Sequence, residues 1–313
     1  MLELIIKTSL QVGLGLIGAL FLAGLIKKLK ARMQHRKGPA FWQPWFDLRK
    51  LWSKNMVISD TTSWLFKVPP YLEFGVALLL LVVVPGPFLL SSGINYGIDL
   101  IFILYLWVLA RFFTALAGLD AGSAFGGMGS SREITIAAMV EPGLLLVLFL
   151  LGYKASSLNL NEIFNWAAVN SGWFFSPLYL LTAGSYLMLM IAETGRIPVD
   201  NPDTHLELTM IHEGMILEYS GPFLALINWA VWIRQYIFYA IFVNIFLPGA
   251  PLAYPSGMEI GISILFFVVK IALVGLVIAL IESALAKMRL LRVPQLLWGA
   301  FVLGLMSLLI VVF

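Results

Sequence analysis

The sequence predicts an all-α, polytopic membrane protein: eight transmembrane helices, with an interfacial amphipathic helix in the first large loop. Residues 1–313 form a single transmembrane domain. Three observations carry this prediction. Sixty per cent of the residues are hydrophobic and 12% are charged, about half the charged share of a soluble domain and more apolar surface than a water-soluble fold can bury. The apolar stretches run unbroken for roughly 20 residues, the span of a membrane-crossing helix, whereas an outer-membrane barrel would alternate in polarity. Lysine and arginine fall almost wholly on one side of the topology that these stretches imply.

Taken in order, the candidate spans are 5–26, 70–90, 98–118, 134–152, 177–192, 222–247, 259–281 and 295–313. The first lacks a basic leader and a small-residue cleavage site, so it reads as a permanent helix rather than a signal peptide. No internal repeat is evident, which argues against an inverted-repeat transporter. The 27–69 connection holds ten of the twenty Lys and Arg residues. With Arg132, Arg196, Lys287, Arg289 and Arg292 in other loops, the side ratio is 15 to 1, the single opposite residue being Lys154. By the positive-inside rule the 27–69 loop is cytoplasmic, both termini lie outside, and the location is the cell membrane. Within that loop, Pro44 stands at a plausible first helical position. After it, Trp45, Leu48 and Trp52 share one stripe, and Asp47, Lys50 and Lys54 the other. This is the pattern of a helix lying on the membrane surface, and simple anchoring to anionic lipid is the competing account of it.

The absence of cysteine removes thiolate-held Fe–S clusters, disulfides and thiol nucleophiles from this chain. Its three histidines, His35, His205 and His212, fall outside the apolar runs, which argues against a bis-histidine haem in the membrane. The chain is therefore expected to bind no cofactor itself; redox centres would sit on partners.

Charges inside the membrane are costly, about 2.5–3.5 kcal/mol each at the bilayer centre on insertion scales, and usually face the bundle interior. Glu73 starts the second span, Glu141 lies seven residues into the fourth, Glu193 ends the fifth and Glu282 follows the seventh. All are on the cytoplasmic side. Arg111 sits in the cytoplasmic half of the third span, and Arg234 and Lys270 near mid-depth of the sixth and seventh. The outer half holds only the terminal acids Asp99 and Glu259. A carboxylate path can thus run from the cytoplasm to mid-membrane without an acidic continuation outward, a half-channel that must pass charge sideways to a partner. Buried ion pairs fixing helix register, with Glu73, Glu141 and Glu282 neutralising Arg111, Arg234 and Lys270, are the competing reading.

The 193–221 loop is acidic, holding Glu193, Asp200, Asp203, Glu207, Glu213 and Glu218 against one Arg196. Pro198 and Pro202 stiffen its start, residues 204–217 can form a helix, and Glu193 and Arg196 can pair at i,i+3. Together, Glu73, Glu141, Glu193, Arg196, Asp200, Glu207, Glu213, Glu218, Lys270 and Glu282 make up the candidate coupling set. His212-Glu213 opens a metalloprotease-like motif, but the second histidine it needs is Ile216. A metal site on His205 and His212 is a weaker reading than a solvated or interfacial histidine pair. The glycine-rich 122–129 stretch lacks the phosphate-loop lysine and reads as a tight loop near the cytoplasmic mouth. No basic–aromatic surface suggests nucleic acid.

Several of these residues also form a recognisable pattern. Arg36-Lys37-Gly38-Pro39 is followed by Gln43-Pro44, Asp47, Lys50-Leu51 and Lys54; Arg132 precedes Glu141 by nine residues. Glu193-Thr194-Gly195-Arg196 leads through Pro198, Asp200 and Glu207-Leu208 to Glu218-Tyr219-Ser220. In these features the chain resembles the membrane subunit shared by respiratory complex I and the membrane-bound group 4 [NiFe] hydrogenases. Three residues between Gly38-Pro39 and Gln43-Pro44, the long 193–221 loop and the 270–294 stretch with Lys270 and Glu282 resemble the hydrogenase branch. The resemblance implies a non-catalytic anchor and coupling subunit. A hydrogenase-like large subunit and an Fe–S small subunit, carrying the Fe–S clusters and a NiFe centre, would dock on the cytoplasmic loops through Arg36, Gln43, Asp47 and Lys50. Antiporter-like membrane subunits would translocate H⁺ or Na⁺. It also implies coupling roles for Glu141, Glu193, Arg196, Asp200, Glu207 and Glu218. A quinone-reducing complex I homologue and a sulfur-reducing sibling are the alternatives within the resemblance; a stand-alone secondary transporter is an alternative outside it.

Overall fold

The computed structural model describes residues 2–87, 100–170, 173–174, 176–201, 210–247 and 257–313, with residues 2–5 and 257–259 described as backbone alone. Among the described residues the regular elements are helices, in the order α1 (Leu2–Met33), α2 (Gln43–Trp52), α3 (Val68–Val83), α4 (Leu100–Asp120), α5 (Ala124–Ala155), α6 (Leu160–Val169), α7 (Pro177–Glu193), α8 (His212–Ile216), α9 (Gly221–Phe246), α10 (Gly257–Ala284) and α11 (Val293–Val312). Short 3₁₀ turns, Trp64–Lys67 and Leu290–Arg292, lead into α3 and α11.

Among the described residues, seven segments are long and apolar enough to cross a membrane: Ile6–Met33, Trp64–Val83, Leu100–Asp120, Ala124–Ala155, Gly221–Phe246, Ile260–Ala284 and Leu290–Val312. The remaining predicted span is α7, apolar but only 17 residues long. Pro177 opens it at the position where a missing N–H is harmless, and Ser176 caps it by accepting from the Tyr179 N–H. The fourth predicted span proves much longer. α5 runs 32 residues, about 48 Å at the helical rise, because the glycine-rich stretch expected to be a loop is its first turns. Ser123 caps it by accepting from the Gly126 N–H. Residues 204–217 were expected to be helical; among the described part of them only α8 is, and residues 202–209 lie outside the described residues.

The core centres on α9, which packs against α1, α2, α3, α6, α7 and α10 and is buried over most of its length. α4 and α5 form an adjoining hairpin, and α11 lies at the rim against α5 and α7. Two crossings depend on glycine. A Cβ on Gly126 would lie 2.3 Å from the Gly118 carbonyl oxygen, and one on Gly129 would lie 2.9 Å from the backbone of Gly214. Only hydrogen lets α5 come this close to α4 and α8.

In the predicted surface helix the stripe is split. Leu48 is buried with Leu20 and Ala225, and Trp52 meets Trp229 edge-on at 5.6 Å, while Trp45 stays exposed.

At the carbonyl end of α3, Gln11 donates to Leu81 and Val84 oxygens at 2.9 and 2.8 Å, and Asn244 donates to Pro85 and Gly86 oxygens at 3.0 and 3.1 Å. These amides satisfy backbone acceptors that hydrocarbon cannot. The 34–67, 121–123, 194–201, 210–220 and 285–292 segments all lie at the opposite end of the bundle, here termed the loop end.

Candidate functional site

The loop end carries the chemistry, and α4 organises it. Trp107, Arg111 and Thr114 recur at i, i+4 and i+7, one face of a helix. Arg111 reaches three carboxylates: Glu133 at 3.4 Å and Glu141 at 3.0 Å on α5, and Glu193 at the end of α7 in direct contact. Thr114 donates to Glu73 of α3 at 2.8 Å. The other Glu73 oxygen accepts from Arg234 of α9 at 2.8 Å, and the Arg234 guanidinium lies 5.2 Å from the Trp107 ring.

Consecutive residues on α9 serve different clusters, because neighbours on a helix point about 100° apart. Arg234 joins Glu73, whereas Gln235 accepts from Arg196 at 2.5 Å and donates to the Tyr239 hydroxyl at 2.8 Å. Arg196 also contacts Glu282 of α10 at 3.3 Å, and Glu282 meets Lys30 of α1 at 3.3 Å. Beyond α10, Lys287 bonds Asp200 at 2.6 Å, and Asp200 accepts from the Asn201 N–H at 2.8 Å. The ion pairs, with the Thr114–Glu73 and Arg196–Gln235 hydrogen bonds, therefore tie six helices, α1, α3, α4, α5, α9 and α10, to the end of α7 and the start of its loop.

Charge is unevenly shared. Among the ion pairs of the described residues, one guanidinium faces three carboxylates around Arg111, Glu282 meets two cations, and Glu73 pairs with Arg234 alone. Two cavities flank the first cluster. The one at the loop end is bordered by Glu133, Glu193, Asp200, His212, Glu213 and Arg234. The deeper one is bordered by Tyr105, Trp107, Arg111, Glu141, Glu193 and Phe238. Each offers about 60 Å³ of water-accessible space, room for roughly four waters at about 15 Å³ apiece. Glu193 borders both.

Near the same mouth, the buried Tyr219 hydroxyl donates to the Phe66 carbonyl at 2.8 Å, and the two rings stack at 4.1 Å. Burial, then the nearby Asp120 and Glu73 charges, push the Tyr219 phenol above the usual tyrosine range, so it stays a donor.

Of the predicted residues, Glu73, Glu141, Glu193, Arg196, Asp200 and Glu282 are brought into these clusters. Glu73 with Arg234 and Glu141 with Arg111 fall within the ion-pair reading of the sequence, whereas the partners of Glu193, Arg196 and Glu282 differ from those expected. Glu193 and Arg196 do not pair with one another: α7 ends at Glu193, Gly195 takes a positive φ of 59°, and the turn sends Glu193 to Arg111 and Arg196 to Glu282. Lys270 does not neutralise Glu282, from which it is separated by twelve residues on one helix, about 18 Å; its ammonium lies 4.5 Å from the Phe266 ring. Glu213 borders the loop-end cavity, Glu218 is exposed, and Glu207 and His205 lie outside the described residues. The four predicted docking residues stand apart. Gln43 donates to Asp47 at 2.9 Å one turn along α2, Arg36 bonds Gln34, and Lys50 is exposed. Sequence reading missed Glu133, Lys30, Thr114 and Gln235. Glu133 had a usable signal: it precedes Glu141 by eight residues, about 2.2 turns, and so lies within about 80° of it on one side of the helix.

The family described as NADH dehydrogenase matches residues 6–313. The chain is 33% identical over 284 residues to formate hydrogenlyase subunit 4 of Escherichia coli, covering 90% of each chain. It is 34% identical over 284 residues to hydrogenase-4 component C of the same organism, covering 90% of this chain and 87% of that one. NADH-quinone oxidoreductase subunit 8 of Thermus thermophilus is 31% identical over 258 residues, covering 77% and 68%. A chain of the membrane-bound sulfane sulfur reductase, an archaeal respiratory membrane complex, has the same fold, with a TM-score of 0.84 at 21% identity over 98% of this chain and 99% of that one.

Proposed function

The chain belongs to the NADH dehydrogenase family, and from that premise we propose that it is the anchor and coupling subunit of a group 4 [NiFe]-hydrogenase-type complex. Greater identity to the two hydrogenase-type proteins than to the quinone oxidoreductase subunit favours that branch. In this reading α7 is the eighth crossing, since 17 residues span about 25 Å, a small mismatch that the bilayer absorbs. The loop end is cytoplasmic and both termini lie outside. The exposed aromatic and basic face of α2 meets the membrane surface, and Arg36, Gln43, Asp47 and Lys50 face an Fe–S and NiFe-bearing arm. Those metal centres belong to the partner subunits; this chain moves charge.

The observation that carries the proposal is the Arg111 cluster. Three buried or half-buried carboxylates around a single guanidinium leave two negative charges uncompensated in a low-dielectric site, and that is too costly to persist without protons or another cation. The cluster therefore exchanges positive charge. Glu193, bordering both cavities, takes it from the loop-end cavity, and Glu141 passes it to the deeper one. Pro142 follows Glu141 within α5 and cannot donate to the Ala138 carbonyl, so the helix is locally loosened where the carboxylate sits. A charge change above the loop end alters the occupancy of Glu193 through the Asp200, Arg196 and Glu282 contacts.

The test is Glu141→Gln in the purified complex, reconstituted in vesicles. Ion translocation per hydrogen evolved from reduced viologen is expected to fall at least tenfold, with hydrogen evolution and the arm retained. Translocation at the unaltered ratio would make Glu141 structural and the proposal wrong. Nickel together with iron in the co-purifying polypeptides is the expected metal content.

A further inference from the structure

We infer that the trough between α1 and α10 binds one acyl chain of an anionic phospholipid, whose phosphate rests at Lys28. The inference uses the placement of the loop end at the membrane surface proposed above and is independent of the coupling route. The trough holds about 250 Å³, roughly four times either cavity beside Arg111. Leu14, Gly18, Phe21 and Leu25 recur along α1 at i, i+4, i+7 and i+11 and form one wall. Between Leu14 and Leu25 that wall is about 16 Å long at the helical rise. Ile264, Phe267 and Ile271 of α10 face it, with Tyr236 of α9 beneath. Among the described residues that line the trough, none is charged. Lys28 is the next position on the same α1 stripe, at i+14, just beyond the end of the wall.

The loop end of the trough has a built lip. Gly24, one turn before Lys28, lets the 40–42 segment close onto α1, where any Cβ would collide with the Phe41 carbonyl oxygen. Phe41 and Trp42 both lie against Phe21, at ring-centroid distances of 5.9 and 6.0 Å. The Lys28 ammonium is 3.7 Å from the centre of the Phe41 ring, so its charge is held beside the Trp42 that borders the trough. Tryptophan at this level is a headgroup-depth residue. An apolar cavity does not retain water, and Ile17 and Val268 on the two rims are exposed, so hydrocarbon fills the space. The site is polar at one end only: apolar along its length, then aromatic, then cationic. That is the outline of an amphiphile. A neutral apolar molecule gains nothing from Lys28, whereas a phosphodiester carried on an acyl chain matches both ends, and anionic lipid is drawn to lysine at the membrane surface.

The experiment uses the purified complex in micelles doped with brominated phosphatidylglycerol or brominated phosphatidylcholine, whose bromines quench indole on contact. The Trp42 emission is taken as the difference from the Trp42→Phe complex. Its quenching is expected to saturate at an about fivefold lower mole fraction of phosphatidylglycerol than of phosphatidylcholine. Lys28→Gln is expected to abolish that preference while leaving the maximum quenching unchanged. Ala272→Phe fills the trough and is expected to remove saturable quenching by either lipid. Equal mole fractions for the two lipids in the unsubstituted complex overturn the inference, as does persistence of the preference in Lys28→Gln or of saturable quenching in Ala272→Phe. Quenching by neither lipid means that a protein partner covers the trough, and also overturns it. So does relief of the quenching by a short-chain quinone at lower mole fraction than by unlabelled phosphatidylglycerol, which would make the trough a quinone path. Should a variant not assemble, the comparison of lipids in the unsubstituted complex decides. A phosphatidylglycerol preference alongside normal translocation in Glu141→Gln leaves this site standing while the coupling proposal falls; the opposite pair of results removes this site alone.

Discussion

Glu282→Gln is a demanding test of the ion-pair architecture. The Glu282 side chain is fully buried; it accepts from Arg196 at 3.3 Å and forms an ion pair with Lys30 at 3.3 Å. At an effective dielectric of about 20, either contact is worth about 5 kcal/mol of gross attraction, most of it offset by the desolvation of the charges. The variant gains none of that offset back, because both cations remain buried and now repel one another. The expected loss is about 3–5 kcal/mol, the range for stranding a buried charge. That is a change of more than a hundredfold in the folded-to-unfolded ratio at about 1.4 kcal/mol per tenfold. Lys30→Met alone leaves Glu282 matched to Arg196 and is expected to cost less. The double variant is expected to recover about 1–2 kcal/mol relative to Glu282→Gln, since the repulsion between the two buried cations is gone. The assay is reversible unfolding in mixed detergent micelles, followed by the fluorescence of the ten tryptophans. A loss below about 1 kcal/mol, or no recovery in the double variant, would refute the view that this carboxylate holds α1, α10 and the loop together.

Two further predictions concern packing at the loop end. Gly126→Ala drives a methyl to 2.3 Å from the Gly118 carbonyl and is expected to cost about 1–3 kcal/mol by overpacking. Gly127→Ala next to it meets nothing within 4 Å and is expected to stabilise by about 0.5–1 kcal/mol through helix propensity; unfolding midpoints of the pair should move in opposite directions. Tyr219→Phe keeps the stacked ring but strands the Phe66 carbonyl, costing about 1–2 kcal/mol. Faster trypsin cleavage after Lys67 is expected, and an unchanged rate would show that the hydroxyl does not secure that turn.

Much of the fold was legible because hydrocarbon imposes a length and a continuity that survive in any single sequence. The α1, α4, α9, α10 and α11 spans were placed within a few residues at most of their ends. The 122–129 stretch misled because glycine signals both loops and close helix crossings, and only the partner's backbone, here Gly118 and Gly214, distinguishes the two. α6 was not foreseen: ten residues are too few for a spanning signal. For the site, depth along each span identified Glu73, Glu141, Glu193 and Glu282, since a carboxylate in an apolar run has few reasons to be there. Which cation each meets was not legible. That is set by the azimuth of each helix and by the turn at Gly195, which parts Glu193 from Arg196 despite their i,i+3 spacing. Lys30 was counted only as a loop charge because α1 continues seven residues past the predicted end.

The amide clamps of Gln11 and Asn244 on the far end of α3 have an electrical consequence. They hold that end of the bundle with neutral groups, while the ion pairs among the described residues and the two cavities beside Arg111 gather toward the other end. A transmembrane voltage falls mainly across whatever insulates. On the proposed coupling role, a proton moving between Glu193 and Glu141 near the loop end would feel only a fraction of the roughly 2.3 kcal/mol that a full crossing gains or loses per 100 mV. Charge rearrangement at such a station would proceed with little hindrance from an energised membrane.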